Sequence, residues 1–289
     1  MKIPNKKHYC INNNDPEFSV LMSVYIKEKP EYLNVALSSV WDHQIVKPSQ
    51  IVIVQDGPLS PGLISSIKKW SVLIGDRFTV VGLPKNLGLA RALNIGLAHC
   101  RYDLVARMDT DDISLPERFL QQVQFMSNNP SIQILGSAAI EIDQSNIVTG
   151  MRVYPELHDK IISNLWACPI IHPSVMFRKP FVEGIGGYNS QLHRRQDYEL
   201  WFRAYENGAL FHNLRNPLIK YRYVEDTHRR QKPQDVLRFS LIGFRCSRRI
   251  GLPLWKQIGC FAMFLKSLLP VSLQYRCNLI MRKLDPRRS

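Results

Sequence analysis

The pattern of apolar runs along this 289-residue chain predicts an α/β fold, a doubly wound and mostly parallel sheet with helices on both faces. Three observations predict it. Short strand-like runs alternate with longer runs of helical spacing through the first half. The strand-like runs are almost continuously apolar, as strands covered on both faces must be. Acidic residues recur just beyond those runs, where open α/β sheets place their ligands.

The elements follow in order. Residues 1–17 form a polar leader without the apolar core of a secretory signal, so the chain is expected in the cytoplasm. Residues 18–25 read as the first buried strand. Tyr32, Leu33, Ala36, Leu37 and Val40 then recur at helical spacing over 30–43. Ile51-Val52-Ile53-Val54-Gln55 is a second strand, closed by Asp56-Gly57-Pro58. A helix over 62–70, a strand over 78–83, a helix over 88–99 and a strand over 102–108 continue the rhythm. Pro116 stands near the start of a helix reaching about residue 128, and 132–136 is another short strand. After that the style changes. Residues 151–156, 169–178 and the glycine-rich 184–188 read as short strands and turns, before a helix over 198–207. A boundary near 223 separates a domain spanning 18–223, its halves meeting near 137, from a C-terminal region over 224–289.

Hydrophobic residues make up 45% of the chain, enough for a packed core, which excludes wholesale disorder. The net charge of +14 suggests nucleic acid until it is located. Residues 220–289 hold 16 Lys and Arg against 4 Asp and Glu, leaving 22 and 20 in the rest of the chain. The basicity therefore belongs to the tail, interleaved with long apolar runs, and a nucleic-acid partner is not expected. Over 252–283 large apolar residues alternate with Lys256, Lys266, Arg276, Arg282 and Lys283, and Pro270 divides them into pieces too short to span a bilayer. Such a basic amphipathic helical tail suits an anionic membrane surface, or packs on the domain before it. The six cysteines are scattered, with no C-x-x-C, so neither a zinc site nor a disulfide framework is expected.

Two acidic clusters carry the chemistry. Asp109-Thr110-Asp111-Asp112 follows a strand and crowds three carboxylates into four residues, hard oxygen ligands suited to a divalent cation and a diphosphate. A solvated turn capping the next helix, with Asp112 or Ser114 as cap, is the plainer alternative. Gln196-Asp197-Tyr198-Glu199 opens a helix, where the dipole favours an ionised Asp197 that can act as a base; capping is again the alternative. Asp56 stands where acidic residues accept hydrogen bonds from a nucleobase or ribose, or simply makes a turn before Gly57. Lys85 to Asn94 joins a turn to a helix start, a place for anions, where Asn86 lies and Arg91 can reach a phosphate or remain an exposed arginine.

Ser19 to Tyr25, Val54-Gln55-Asp56-Gly57, Asn86-Leu87-Gly88-Leu89-Ala90, Met108 to Asp112 with Leu115-Pro116-Glu117-Arg118, and Gln196 to Trp201 stand together in one order. That ordered set resembles the family 2 glycosyltransferases, inverting enzymes of GT-A fold that use nucleotide sugars. Within the family it looks most like bacterial O-antigen, capsule and exopolysaccharide transferases of the amylovoran-biosynthesis and β-1,3-hexosyltransferase group. The resemblance implies a nucleotide-binding half over 18–137 and an acceptor half over 138–223. It implies a UDP-sugar donor, a divalent metal (Mn²⁺ or Mg²⁺), and an undecaprenyl-diphosphate-linked saccharide acceptor met at the cytoplasmic face of the inner membrane. Carried over, Tyr25, Asp56, Asn86, Arg91, Asp109, Thr110 and Asp111 would bind the nucleotide sugar. Asp109 and Asp111 would hold the metal, and Asp197 would be the base. Asp112, Gln196, His172 and His228 are accessory candidates. The family usually has Glu where this chain has Gln196, which can hydrogen-bond an acceptor but brings no charge. A nucleotidyltransferase would need a glycine-rich basic loop where this chain has Tyr25-Ile26-Lys27-Glu28-Lys29.

Overall fold

In the computed structural model, residues 16–223, 232–270 and 273 are described. Strand β1 (Phe18–Val24) is central, with β2 (Gln50–Gln55) parallel on one side and β4 (Leu104–Arg107) parallel on the other; β3 (Phe78–Gly82) extends β2. Successive side chains of a strand point to opposite faces. Val20, Met22 and Val24 accordingly pack with α1 (Pro30–Trp41) and α2 (Pro61–Ile74), whereas Leu21, Val52 and Val54 pack with α3 (Leu89–His99) and α7 (Gln196–Glu206). Both faces are covered, which is why the strands read as continuous apolar runs.

Beyond β4 the sheet becomes mixed. With β5 (Ile113–Ser114), β6 (Ile132–Ile142), β7 (Val148–Arg152), β8 (Met176–Arg178) and β9 (Leu210–Arg222), its order is β3-β2-β1-β4-β8-β6-β9-β5, and β7 lies on β6. Strand β6 runs well past the expected 136 and crosses residue 137, so one sheet spans both halves of the domain. Strand β8 is antiparallel to β4 and β6, while β9 is parallel to β6. The apolar pattern of the sequence predicts no strand over 210–222. Strand β9 carries His212, Asn213, Arg215, Asn216 and Pro217, and its register with β6 is broken near 217. Pro217 removes a ladder donor, so such a run is tolerated only where pairing is interrupted. Strand β9 also pairs antiparallel with β5, which brings Arg222 beside the acidic turn.

The described part of the C-terminal region is helical. Helix α8 (Pro233–Arg249) packs on α7, so closely that a Cβ at Gly243 would lie 2.6 Å from the Tyr198 hydroxyl. Arg249 pairs with Glu206 at 2.7 Å, and Lys256 of α9 (Leu254–Gly259) donates to the Ser163 carbonyl at 2.6 Å. Helix α10 (Ala262–Ser267) follows. Among the described residues, no helix is long and apolar enough to cross a membrane.

Candidate active site

The parallel strands deliver the nucleotide-side residues together. Tyr25 follows β1, Asp56 follows β2 and Asp109 lies just past β4, all at carboxyl ends. Asp56 is buried, and its two carboxylate oxygens accept the Leu87 and Gly88 N–H groups at 2.6 and 3.0 Å. The Asn86 amide donates to the Asp56 carbonyl at 3.2 Å. Gly57 has φ +90, and a Cβ there would sit 2.6 Å from the Asn86 nitrogen, so only glycine lets the two turns touch. Asp56 thus fixes the turn that opens α3, and Arg91 is exposed in the first turn of that helix.

Asp109, Asp111 and Asp112 each offer a carboxylate oxygen within 4.8 Å of the others. Asp109 pairs with the buried Arg107, and the Thr110 hydroxyl donates to Glu28 at 2.7 Å. One oxygen of the buried Asp112 accepts the Arg222 N–H at 2.7 Å; the other has no hydrogen-bond partner. The Arg222 guanidinium donates to the Asp111 and Asp143 carbonyls at 2.8 and 2.6 Å and lies 4.1 Å over the Tyr32 ring. Burial, with Asp109 and Glu28 adding repulsion, pushes the Asp111 carboxyl up to about 7. Burial and the neighbouring Asp111 and Asp109 likewise raise Asp112 well above the usual carboxylate range. Three crowded oxygen donors, one of them orphaned, fit a divalent cation that would relieve both the repulsion and the unmet acceptor. The Tyr25 phenol is raised by burial, Glu28 and Asp111, with Arg194 opposing.

The other side of the candidate site is built on α7. Arg195 precedes the helix at φ 61, a left-handed conformation that ends the 189–195 loop sharply and puts Asp197 in the first turn. Burial raises the Asp197 carboxyl, opposed by Arg195, the Tyr198 N–H and Arg107. Gln196 is buried, and its side-chain carbonyl has no partner. His172 is buried too, its Nε2 2.9 Å from the Tyr188 hydroxyl and its ring edge-on to Trp201. Burial and Arg107 lower it well below its ordinary value, so it is neutral. Asn94 of α3 brackets Tyr188, donating to its carbonyl and accepting its N–H, each at 2.7 Å. Gly187, at φ +64, lets that amide approach: a Cβ would meet it at 2.5 Å. Glu199 holds Arg203, which donates to the Ile185 and Gly187 carbonyls and ties this loop to α7. His228 lies outside the described residues.

Arg107, Glu28, Arg222 and Tyr188 were not singled out from the sequence. Arg107 pairs with Asp109, its Nε and Nη1 have no hydrogen-bond partner, and its buried charge bears on Asp112, His172, Tyr188 and Asp197. The available signal was a lone arginine inside an apolar strand next to an acidic cluster, since a buried cation needs a carboxylate. An open cavity of about 640 Å³ lined by Glu17, Arg101, Asp103 and Arg178 lies at the opposite end of β1 and β4. Arg178 is already occupied by the Ile132 and Met126 carbonyls, so this cavity is apart from the chemistry.

Comparison with known proteins identifies the family and the fold. The profile of glycosyl transferase family 2 matches residues 19–185. The amylovoran biosynthesis glycosyltransferase AmsE of Erwinia amylovora is 40% identical over 209 residues, 72% of this chain and 77% of that protein. The UDP-Gal:alpha-D-GlcNAc-diphosphoundecaprenol beta-1,3-galactosyltransferase of Escherichia coli is 33% identical over 223 residues, 76% of this chain and 79% of that one. The crystal structure of S. aureus TarS 1–349 in complex with UDP superposes with a TM-score of 0.63 over 86% of this chain and 71% of that one, at 18% identity. It is a likeness of fold.

Proposed function

The chain belongs to glycosyl transferase family 2, and we propose that it moves a hexose from UDP-Gal or UDP-Glc to a lipid-diphosphate-linked sugar in the assembly of a bacterial surface polysaccharide such as O-antigen or capsule. The observation that supports this reading is the carboxylate cluster at the strand ends, where oxygens of Asp109, Asp111 and Asp112 lie within 4.8 Å of one another and Arg107, paired with Asp109, carries charge that also bears on Asp197 at the start of α7. The enzyme would work in the cytoplasm, against the inner face of the membrane where such an acceptor is found.

A divalent cation, Mn²⁺ or Mg²⁺, held by Asp109 and Asp111 with Asp112 beside them, would supply positive charge facing the diphosphate. The protein's own side chains do the rest. Asp56 and Asn86 shape the turn beside the nucleoside, Tyr25 and Thr110 line the crevice, and Arg91 lies within α3's first turn, where anions are favoured. Asp197 accepts the proton of the acceptor hydroxyl as its oxygen bonds to the anomeric carbon and the bond to UDP breaks on the opposite side. An α-linked donor then yields a β-linked product. Gln196 and neutral His172 take no part in proton transfer; Gln196 offers its unmet carbonyl to an acceptor hydroxyl.

The test is a donor screen with UDP-Gal, UDP-Glc, UDP-GlcNAc, UDP-GalNAc and dTDP-rhamnose, Mn²⁺ and a GlcNAc- or GalNAc-diphosphate-lipid analogue. Metal-dependent release of UDP with UDP-Gal or UDP-Glc, abolished in Asp197→Asn, is the expected result. Turnover with one of the other donors alone would replace the sugar assignment. Failure of any nucleotide to bind would remove the roles given to Asp56 and Asp109 to Asp112.

A further inference from the structure

Helices α9 and α10 carry apolar side chains that the domain leaves uncovered. Leu254, Trp255, Ile258, Leu265 and Leu268 are each 56–66% exposed. Leu254, Trp255 and Ile258 share one side of α9, three and four residues apart, and Leu265 and Leu268 repeat the three-residue step. Other residues of this segment face inward. Phe261 packs on Phe244 of α8 at 5.7 Å, Cys260 lies 3.7 Å from the Ser247 hydroxyl, and a Cβ at Gly259 would strike the Trp166 ring at 2.6 Å. The segment is therefore anchored on one side and apolar on the other, and exposed apolar surface of this kind marks an interaction site.

Charge decides what covers it. Residues 236–270 contain six Lys and Arg and no Asp or Glu. At the edge of the apolar side, Lys256 lies 5.2 Å over the Trp255 ring, with Lys160 near enough to oppose its charge. A second copy of the chain would set these cations against themselves. Lipid instead receives Leu, Ile and Trp at the acyl boundary and the ammonium groups among its phosphates.

The geometry points to a lipid-docking surface: the outward side of α9 and α10, centred on Trp255, rests on an anionic membrane leaflet. Trp255 meets Trp166 edge-on at 6.0 Å, and the Trp166 carbonyl accepts the hydroxyl of Tyr198 at 2.8 Å, next in sequence to Asp197. Docking there sets the first turn of α7 close to the leaflet, where a lipid-linked acceptor would present its sugar. That consequence rests on the acceptor proposed above; the surface itself does not.

The full chain is sedimented with phosphatidylcholine vesicles, with and without roughly 30% phosphatidylglycerol. It binds the anionic vesicles and is weakened by salt. Trp255→Ser/Ile258→Ser and Leu265→Ser/Leu268→Ser each lower the partition coefficient by about tenfold or more while UDP binding is unchanged. Wild-type protein left in the supernatant overturns the proposal, as do variants that bind like wild type or that lose UDP binding along with lipid binding. So does a lipid-free dimer dissolved by the same substitutions, which would give the surface to a second copy. Vesicle binding without transfer to any acceptor would sink the reaction assignment and leave this surface standing.

Discussion

The two sides of the active-site crevice solve opposite electrostatic problems. On the strand side, three carboxylates are pressed together and partly buried, so the site is strained until something positive enters. On the helix side the first turn holds Asp197 and Glu199; Glu199 is paired with Arg203, while Arg195 and Arg107 favour the ionised form of Asp197 against burial. Crowding suits the cation and diphosphate proposed for the strand side, whereas an uncrowded, half-buried carboxylate suits the proposed base. Arg107 belongs to both, and the comparison can be broken most directly through these residues.

The largest separation is expected in kinetics. Asp197→Asn lowers kcat by about 10²–10⁴-fold with donor binding retained, while Asp111→Asn abolishes the strengthening of UDP binding by Mn²⁺. Titration calorimetry beside turnover reads both; a loss of donor binding in Asp197→Asn would erase the distinction. Because burial raises the Asp197 carboxyl, the base is neutralised at a higher pH than an ordinary aspartate. The acid limb of kcat should therefore lie above about pH 4. Arg107→Met should move that limb to still higher pH, since a charge favouring carboxylate is gone, and should cost about 3 kcal/mol of stability in urea unfolding. An unmoved limb would show that Arg107 serves the strand side alone.

Asn94→Ala tests how the floor between the sides is held. It removes both amide contacts to Tyr188 and is expected to cost about 1–3 kcal/mol, leaving two buried backbone groups unmet. The smallest effect concerns pH and stability. His172 is held well below its ordinary 6.5, so the unfolded chain takes up a proton that the folded one refuses. Its contribution is complete above about pH 6.5 and is lost as pH falls below that value. His172→Phe should flatten the drop in the urea midpoint between pH 7.5 and 5.5, a window in which His158 and His212, also lowered, act in the same direction and Asp111, raised to about 7, acts in the opposite one.

The parallel half was readable because burial on both faces writes itself as unbroken apolar runs, and β1, β2, β3 and β4 lie within two residues of where those runs place them. Strand β9 was not readable. Its polar residues find partners distant in sequence: the Asn213 side-chain NH2 donates to the Pro155 and Pro169 carbonyls at 2.8 and 2.9 Å, though its Oδ1 has no partner. The site divided in the same way. Asp109, Asp111 and Asp112 announce themselves by being adjacent, but Arg222, which pins that turn, is 110 positions from Asp112.

The chain's own order of residues determined the α/β alternation, the strand ends that carry Tyr25, Asp56 and Asp109, and the acidic chemistry, since periodicity and local crowding are properties of neighbours in sequence. The tertiary structure alone decided that Arg107 pairs with Asp109 while its charge also bears on Asp197, that burial lowers His172 well below its ordinary value, and that α8 to α10 present one side to the domain and another to solvent. Charge state and exposure depend on what long-range packing removes from water, and no local stretch of sequence specifies that.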